Sequence, residues 1–192
     1  MNPLGHHFAT MAYNNAWANH RLLRACLALD DEAFVALRTG FFGSIMATLN
    51  HKLTVDWFYV AALERGLAGA PVDPEGRRYF EPEHPFVGCA PLALAQAAVD
   101  RRLIALCVGL GADDLQRTAG VSWRAGVAHE RIDRLLAHLF EHQIHHRGQA
   151  HAMLSGTAVA PPQLDEFFCA GAAEHRARDF AELGFTEAMI WG

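Results

Sequence analysis

Four long stretches of the chain carry apolar residues at the spacing of an amphipathic helix, and strand signals are almost absent. Segments of this kind bury their apolar faces by packing helix against helix. We therefore expect an all-α fold, a four-helix bundle. The spacing predicts helices over Phe8–Leu29, Gly40–Arg65, Leu92–Leu110 and Ala128–Leu154.

The connections between these segments differ in length. Leu67–Pro91 contains eight glycines and prolines, which predicts a long loop between the second and third helices. Loops of this length are often functional, so we expect it to lie over a site. Ala112–Val127 is expected to form a short hairpin or an irregular connector before the fourth helix, and Phe167–Leu183 a short C-terminal helix. With 192 residues, the chain is expected to form a single domain over residues 1–192.

The charge balance excludes some partners. Sixteen Lys and Arg residues stand against 21 Asp and Glu residues, and no basic stripe occurs, so we expect no nucleic-acid partner. No apolar run approaches the ~18 residues of a membrane span, so no membrane partner is expected.

The first residues lack a basic and then apolar leader pattern, and the four cysteines form no CxxC. These features favour a cytoplasmic protein with reduced thiols.

Histidine is abundant and lysine is scarce, with twelve His against the single Lys52. Five of these histidines lie in the predicted fourth helix, within AHLFEHQIHHRGQAHAML. Residues four apart share one face of a helix, and two imidazoles so placed can bind one metal ion. His138/His142 and His142/His146 both have this spacing, and His142/His145 is an i,i+3 alternative. Spacing thus nominates His142 and leaves its partner open, and a solvated histidine-rich face is the competing interpretation.

A further ligand should come from another helix, and the second helix contains only His51. At about 100° per residue, His51 lies opposite the apolar face and among small side chains such as Ala47 and Thr48. Small neighbours leave space for a metal with open coordination positions. The alternative is a surface or ordinary core histidine. The apolar face of this helix is predicted to comprise Phe42, Ile45, Leu49, Leu53 and Trp57.

Several motifs together resemble the DinB/YfiT-like superfamily of metal-dependent four-helix proteins. YNNAWANHRLL resembles the first helix of that family, and FFGSIMATLNHKLTVDWFYVAAL its second, where a His precedes an Asp by five residues. HLFEHQIHHRGQAHAML resembles the fourth helix with its HxxxHRGQ pattern, and PPQLDEFF is similar to a common ending. The resemblance implies three metal ligands at His51, His142 and His146. It leaves His138 and His145 as supporting or surface residues.

The resemblance also implies a chemistry. Three imidazoles with open positions form a catalytic type of site that suits a divalent transition metal such as zinc, nickel or iron. Relatives include thiol-dependent S-transferases and a mycothiol-dependent maleylpyruvate isomerase, which implies a low-molecular-weight thiol as cosubstrate and a small-molecule substrate. A hydrolase is also compatible with such a site. The alternative is a metal-binding, stress-linked protein without turnover, and a homodimer is expected from the resemblance.

Other residues have less certain roles, and no catalytic residue is assigned. Gln149 is placed to reach the edge of the site and hydrogen-bond a water. Asp56 is expected to orient a ligand histidine, to pair with Arg147 or to form a structural ion pair between helices. Glu141 points about 100° away from His142, which argues against a role as general base. Gly148 within a helix predicts a close helix crossing.

Overall fold

The computed structural model describes residues 2–123 and 125–192. Four long helices dominate it, as the apolar spacing predicts, so the expected helical bundle is confirmed. A two-stranded hairpin, four short α-helices and two 3-10 turns complete the regular structure of the described residues. The helices are α1 (Pro3–Cys26), α2 (Asp31–Val35), α3 (Ile45–Leu67), α4 (Cys89–Val108), α5 (Ala112–Gln116), α6 (Ile132–Leu154), α7 (Ala173–Leu183) and α8 (Glu187–Trp191).

The helix starts differ from the predicted ones because of capping. α1 begins five residues earlier than predicted, since the side chain of Asn2 accepts a hydrogen bond from the Gly5 N–H and Pro3 suits the first helical position. α3 begins at Ile45 and not at Gly40. The Ser44 side chain accepts from the Ala47 N–H at 3.0 Å, and Gly43 has a φ of +73°, which an L side chain rarely adopts.

The four long helices enclose one main core. α1 packs mainly against α4 and α3 mainly against α6, with further contacts between α3 and α4 and between α1 and α6. Buried Leu, Val, Ile and Phe side chains from all four helices form the core cluster. None of the described helices is both long and apolar enough to cross a membrane.

The connector before α6 forms the hairpin, β1 (Thr118–Trp123) and β2 (Gly126–Arg131), paired antiparallel with Thr118 opposite Arg131. The predicted helical start at Ala128 is therefore wrong, because these residues pair as a strand. The hairpin lies against the C-terminal end of α3. A Cβ on Gly66 would come within 2.6 Å of the Ala119 Cβ, so a glycine is required for this contact.

The C-terminal segment is helical, but it begins later than predicted. A 3-10 turn over Ala170–Ala172 precedes α7, and α8 follows it. A second apolar cluster, which includes Trp17 and Phe167, attaches this segment to α1. Trp17 is thus a packing residue, and its indole N–H donates to Asp179 at 3.2 Å.

Candidate metal centre

Three histidines from two helices converge beside the core. His51 lies on α3, and His142 and His146 lie one turn apart on α6. One nitrogen of each ring lies within 4.8 Å of the others. The Nε2 atoms of His51 and His142 are 3.1 Å apart, and the His142 and His146 ring centroids are 4.3 Å apart. We call this group the histidine triad.

The triad has the donor chemistry and spacing of a metal site. Two nitrogens bound tetrahedrally at 2.0–2.1 Å to one ion are about 3.3 Å apart, close to the separation of the His51 and His142 nitrogens. Burial, reinforced by the neighbouring imidazoles, lowers the pKa of His142 to about 3 and that of His51 to about 4. Burial also lowers the pKa of His146. All three rings are therefore neutral at pH 7, which is the form that binds a metal.

Gln149 holds one ring of the triad in place. Its Oε1 accepts a hydrogen bond from His146 Nδ1 at 2.8 Å, which leaves the Nε2 of His146 with a free lone pair. The amide nitrogen of Gln149 lies 3.0 Å from His145 Nε2. Gln149 was expected to bind a water at the site edge, and the structure instead places it against the ring itself. Polar partners of this kind commonly orient metal-binding histidines.

His142 differs from His146 in its second nitrogen. The Nδ1 of His142 is buried and has no hydrogen-bond partner among residues 2–123 and 125–192. Its Nε2 faces that of His51, and only one of the two can donate a proton to the other. Burial of an imidazole with so few hydrogen bonds costs free energy unless a ligand binds its nitrogens.

Phe42 covers one side of the triad, a role that sequence reasoning missed. Its ring stacks on His51 with centroids 4.2 Å apart and lies 5.4 Å from His146. The prediction that Phe42 belongs to the apolar helical face is wrong, because α3 starts only after the turn at Gly43 and Ser44. The Gly-Ser pair before Ile45 was the sequence signal for that turn.

The remaining histidines of α6 lie outside the triad. His138 is exposed and packs against Tyr59, with ring centroids 5.3 Å apart. His145 is also exposed and interacts with Gln149. Glu141 is exposed as well, and no hydrogen bond links it to the triad within the described part of the chain.

A second group, His20, Asp179 and Glu182, also brings three potential ligand atoms within 4.8 Å of one another. Two arginines already neutralise it. Arg21 pairs with Asp179 at 2.7 Å, and Arg24 pairs with Asp179 at 2.8 Å and with Glu182 at 2.9 Å. This group is therefore a salt-bridge cluster that joins α1 to α7.

A cleft of about 450 Å³ opens beside the triad, and His51 and His142 form part of its wall. Most of the rest of its wall is aromatic or aliphatic. We call it the aromatic cleft; its rings are those of Phe58, Tyr59, Phe80, Trp123 and His138. The long loop contributes Arg77 and Phe80 from a 3-10 turn over Gly76–Phe80. The loop therefore lies over the site.

Directly behind the triad, the bundle centre contains a buried polar network. Each long helix supplies two residues spaced four apart, and all eight are buried. They are Asn15 and Asn19 of α1, Lys52 and Asp56 of α3, Gln96 and Asp100 of α4, and Gln143 and Arg147 of α6.

The network is closely hydrogen-bonded. Lys52 donates to Asn19, Gln96 and Gln143 at 2.9–3.0 Å, and Asp100 accepts from Asn15, Asn19 and Gln96 at 3.0–3.2 Å. Burial lowers the pKa of Lys52 and raises that of Asp56, because it disfavours the charged form of each, and their mutual attraction opposes both shifts.

Two sequence expectations are resolved by this network. Asp56 pairs with Lys52 at 3.9 Å and accepts from Gln96 at 2.8 Å, and none of the described hydrogen bonds joins it to a triad histidine. The ion pair of Asp56 is therefore structural, but it lies within α3 and not between helices as expected. Lys52, the single lysine, is 1% exposed and fully engaged, so it is not available as a surface nucleophile.

The predicted close crossing at Gly148 is wrong. A Cβ built there meets nothing within 4 Å among the described residues, and Gly148 borders an open cleft of about 680 Å³ with Pro161 and Pro162. Helix approach therefore does not explain this glycine.

Fold and site together define a helical-bundle protein with a three-histidine centre that opens to a cleft. The family model described as the DinB superfamily matches residues 15–150, which include the whole triad, and the chain belongs to that superfamily. The comparison with curated proteins found no match to this chain.

Proposed function

We propose that the protein is a metal-dependent enzyme in which His51, His142 and His146 bind one divalent zinc, nickel or iron ion. The observation that carries the proposal is the shared position of two of these histidines, which belong both to the triad and to the wall of the aromatic cleft. A ligand in that cleft would lie beside the ion. Sites with three protein ligands keep a position open for water or substrate, as catalysis requires.

A bound divalent ion supplies Lewis acidity, which lowers the pKa of a bound water or thiol and makes it nucleophilic at neutral pH. The residues of the chain provide the surroundings. Gln149 fixes the ring of His146, and Phe42 excludes water from one side of the triad. The aromatic cleft desolvates a small electrophilic substrate.

Of the possible reactions, we favour transfer of a low-molecular-weight thiol to a small electrophile, because the resemblance to thiol-dependent S-transferases supports it. Hydrolysis by a metal-bound water is the second possibility. A panel of thiols with an aromatic electrophile, run beside an ester panel, separates the two. Thiol-dependent turnover that is lost in His142→Ala supports transfer, whereas ester cleavage without a thiol supports hydrolysis.

Metal binding is tested first. Protein purified without a histidine tag is expected to hold about one metal ion per chain in elemental analysis. The variants His51→Ala, His142→Ala and His146→Ala should lose it, and the control His138→Ala should keep it. Full metal content in all three triad variants would refute the assignment.

The proposal also includes a homodimer, which the resemblance favours. Leu37 is 92% exposed and Phe41 83% exposed, in the segment that leads to Phe42. Apolar side chains this exposed are suited to an interface. Light scattering after size exclusion should give twice the chain mass. A metal-loaded dimer that turns over none of the thiol or ester probes would support the alternative, a stress-linked metal-binding protein.

Four free cysteines support a location in the reducing cytoplasm.

A further inference from the structure

We propose that the aromatic cleft selects a small molecule that combines an apolar, ring-bearing body with a carboxylate, and that Arg77 binds the carboxylate. This inference rests on the proposed function for its link to turnover, since it names the substrate class of that site. The binding itself can be tested without metal.

The first argument is the shape of the cleft. Four elements contribute rings to it: Phe58 comes from α3, Phe80 from the 3-10 turn, Trp123 from β1 and His138 from α6. The Phe58 ring lies 5.2 Å from that of Phe80 and 6.1 Å from that of Trp123, and these distances are typical of interacting aromatic pairs. The cleft volume of about 450 Å³ lies within the usual range for small-molecule sites.

The second argument is the exposure of these rings. Phe80 is 37% exposed and Trp123 is 49% exposed, although both line a concave surface. Apolar surface of this kind is stabilised when a ligand removes it from water. An apolar ligand of matching size is therefore the expected occupant, and flat aromatic rings are well suited to stacking between such side chains.

The third argument is charge. Arg77 lines the aromatic cleft and also a smaller adjoining cleft, where His51 is again in the wall. Its partner is Glu81, at 3.5 Å, and both side chains are about 70% exposed (71% and 69%). Exposed pairs of this type contribute little to stability, so the guanidinium is available to a ligand. An arginine fork binds a carboxylate with two parallel hydrogen bonds.

A cationic ligand is the opposite possibility, since aromatic cages also bind quaternary ammonium groups. The charges in the wall argue against it. Among residues 2–123 and 125–192, no Asp or Glu lines the aromatic cleft, and Arg77 would repel a cation. The carboxylates of Glu81 and Glu83 line the adjoining cleft instead.

The test is calorimetric titration of chelator-treated, metal-free protein with three probes that share one phenylalkyl body. They are 4-phenylbutanoate, 4-phenylbutanol and 4-phenylbutylamine. The carboxylate should bind most tightly. Arg77→Gln should weaken its binding about tenfold or more, as loss of a charge-assisted hydrogen bond predicts, and leave the alcohol unchanged. Arg77→Lys should retain part of the higher affinity for the carboxylate over the alcohol.

Two further variants complete the design. Arg134→Gln removes another strongly exposed arginine, one that lies on α6, and should leave all three affinities unchanged. Trp123→Ala, checked for folding by circular dichroism, should weaken the carboxylate and the alcohol alike. Any one of three results would overturn the inference. They are unchanged carboxylate affinity in Arg77→Gln, tightest binding of the amine, and no binding of any probe. Because no metal is present, these results are independent of whether the triad binds an ion.

Discussion

The triad and the buried network are two polar clusters that share α3 and α6, where their residues are adjacent in sequence. Each triad histidine is followed directly by a network residue, in the pairs His51 and Lys52, His142 and Gln143, and His146 and Arg147. Neighbouring helical positions point about 100° apart, so one member of each pair faces the cleft side and the other the bundle centre. The clusters nevertheless differ in how their polar atoms are compensated.

The network provides most of its own partners, and of its buried side-chain atoms only Asp56 Oδ1 and Gln143 Nε2 are left without one among the described residues. Two cations, Lys52 and Arg147, are balanced by Asp56 and Asp100, and amides bridge them. The triad holds three neutral imidazoles with no carboxylate bonded to them among the described residues. The contrast teaches that a buried polar cluster is a candidate binding site when its hydrogen-bonding atoms lie close together but lack partners. A cluster that compensates itself is structural.

The largest effect is expected from breaking the network. Lys52→Met removes the cation paired with Asp56 and leaves Arg147 alone to balance two buried carboxylates, and removal of one partner of a buried ion pair typically costs about 3–5 kcal/mol. Urea unfolding should show a loss of free energy in this range. The control Arg102→Met breaks an exposed pair with Glu64 and should change stability by about 1 kcal/mol or less. Equal effects of the two variants would contradict a structural role for the network.

Metal removal should be the next largest effect, because an ion that binds only the folded chain stabilises it. At a free metal concentration 100 times the Kd, the gain is about 2.7 kcal/mol. Thermal unfolding with and without chelator should therefore differ in wild type and in His138→Ala. In His146→Ala the two curves should coincide. A chelator shift that persists in His146→Ala would place the ion elsewhere.

A smaller effect is expected from Gln149→Ala, which removes the oxygen that accepts from His146 Nδ1. Loss of a residue that orients a metal ligand typically weakens affinity about 10–100-fold. Competition with a chromogenic chelator measures this change. Glu141→Ala, on the exposed side of the same helix, should bind metal as wild type does. No difference between the two variants would show that Gln149 does not orient the ring.

The smallest effect is expected from His142→Leu in metal-free protein. The His142 Nδ1 has no partner in the part of the chain that the structure describes, and the replacement removes only the part-buried contact between Nε2 and His51, so its cost is small. The free energy of unfolding should change by about 1 kcal/mol or less. Gln143→Leu, its network neighbour, should destabilise more, since it removes an acceptor of Lys52. A larger loss of stability in His142→Leu than in Gln143→Leu would contradict the distinction between the triad and the network.

Helical spacing was sufficient to predict the bundle and to single out His142. The bundle is confirmed and His142 lies in the triad, because each of these inferences depends on periodicity within one helix, while metal binding by His142 stays a prediction. The choice of His146 over His138 came from the family resemblance, and spacing alone could not make it. In the structure His138 lies toward Tyr59 and the cleft, a placement that depends on how α6 packs against α3.

The position of Phe42 and the burial of the network could not be predicted from the pattern of a single helix. Phe42 continues the apolar spacing of α3 in sequence, and only the turn at Gly43 and Ser44 moves it onto His51. Pairs such as Asn15 and Asn19, or Gln96 and Asp100, each resemble a polar stripe on an exposed helix face. Their burial follows only when four such stripes meet in the bundle centre.

Anomalous diffraction from crystals of the metal-loaded protein, recorded at the absorption edge of the bound metal, tests the central claim most directly. We predict one strong peak about 2.0–2.1 Å from the Nε2 atoms of His51, His142 and His146, with a position left open toward the aromatic cleft. A peak bound by His138 or His145, or no peak at the triad in protein shown to contain metal, would contradict the account.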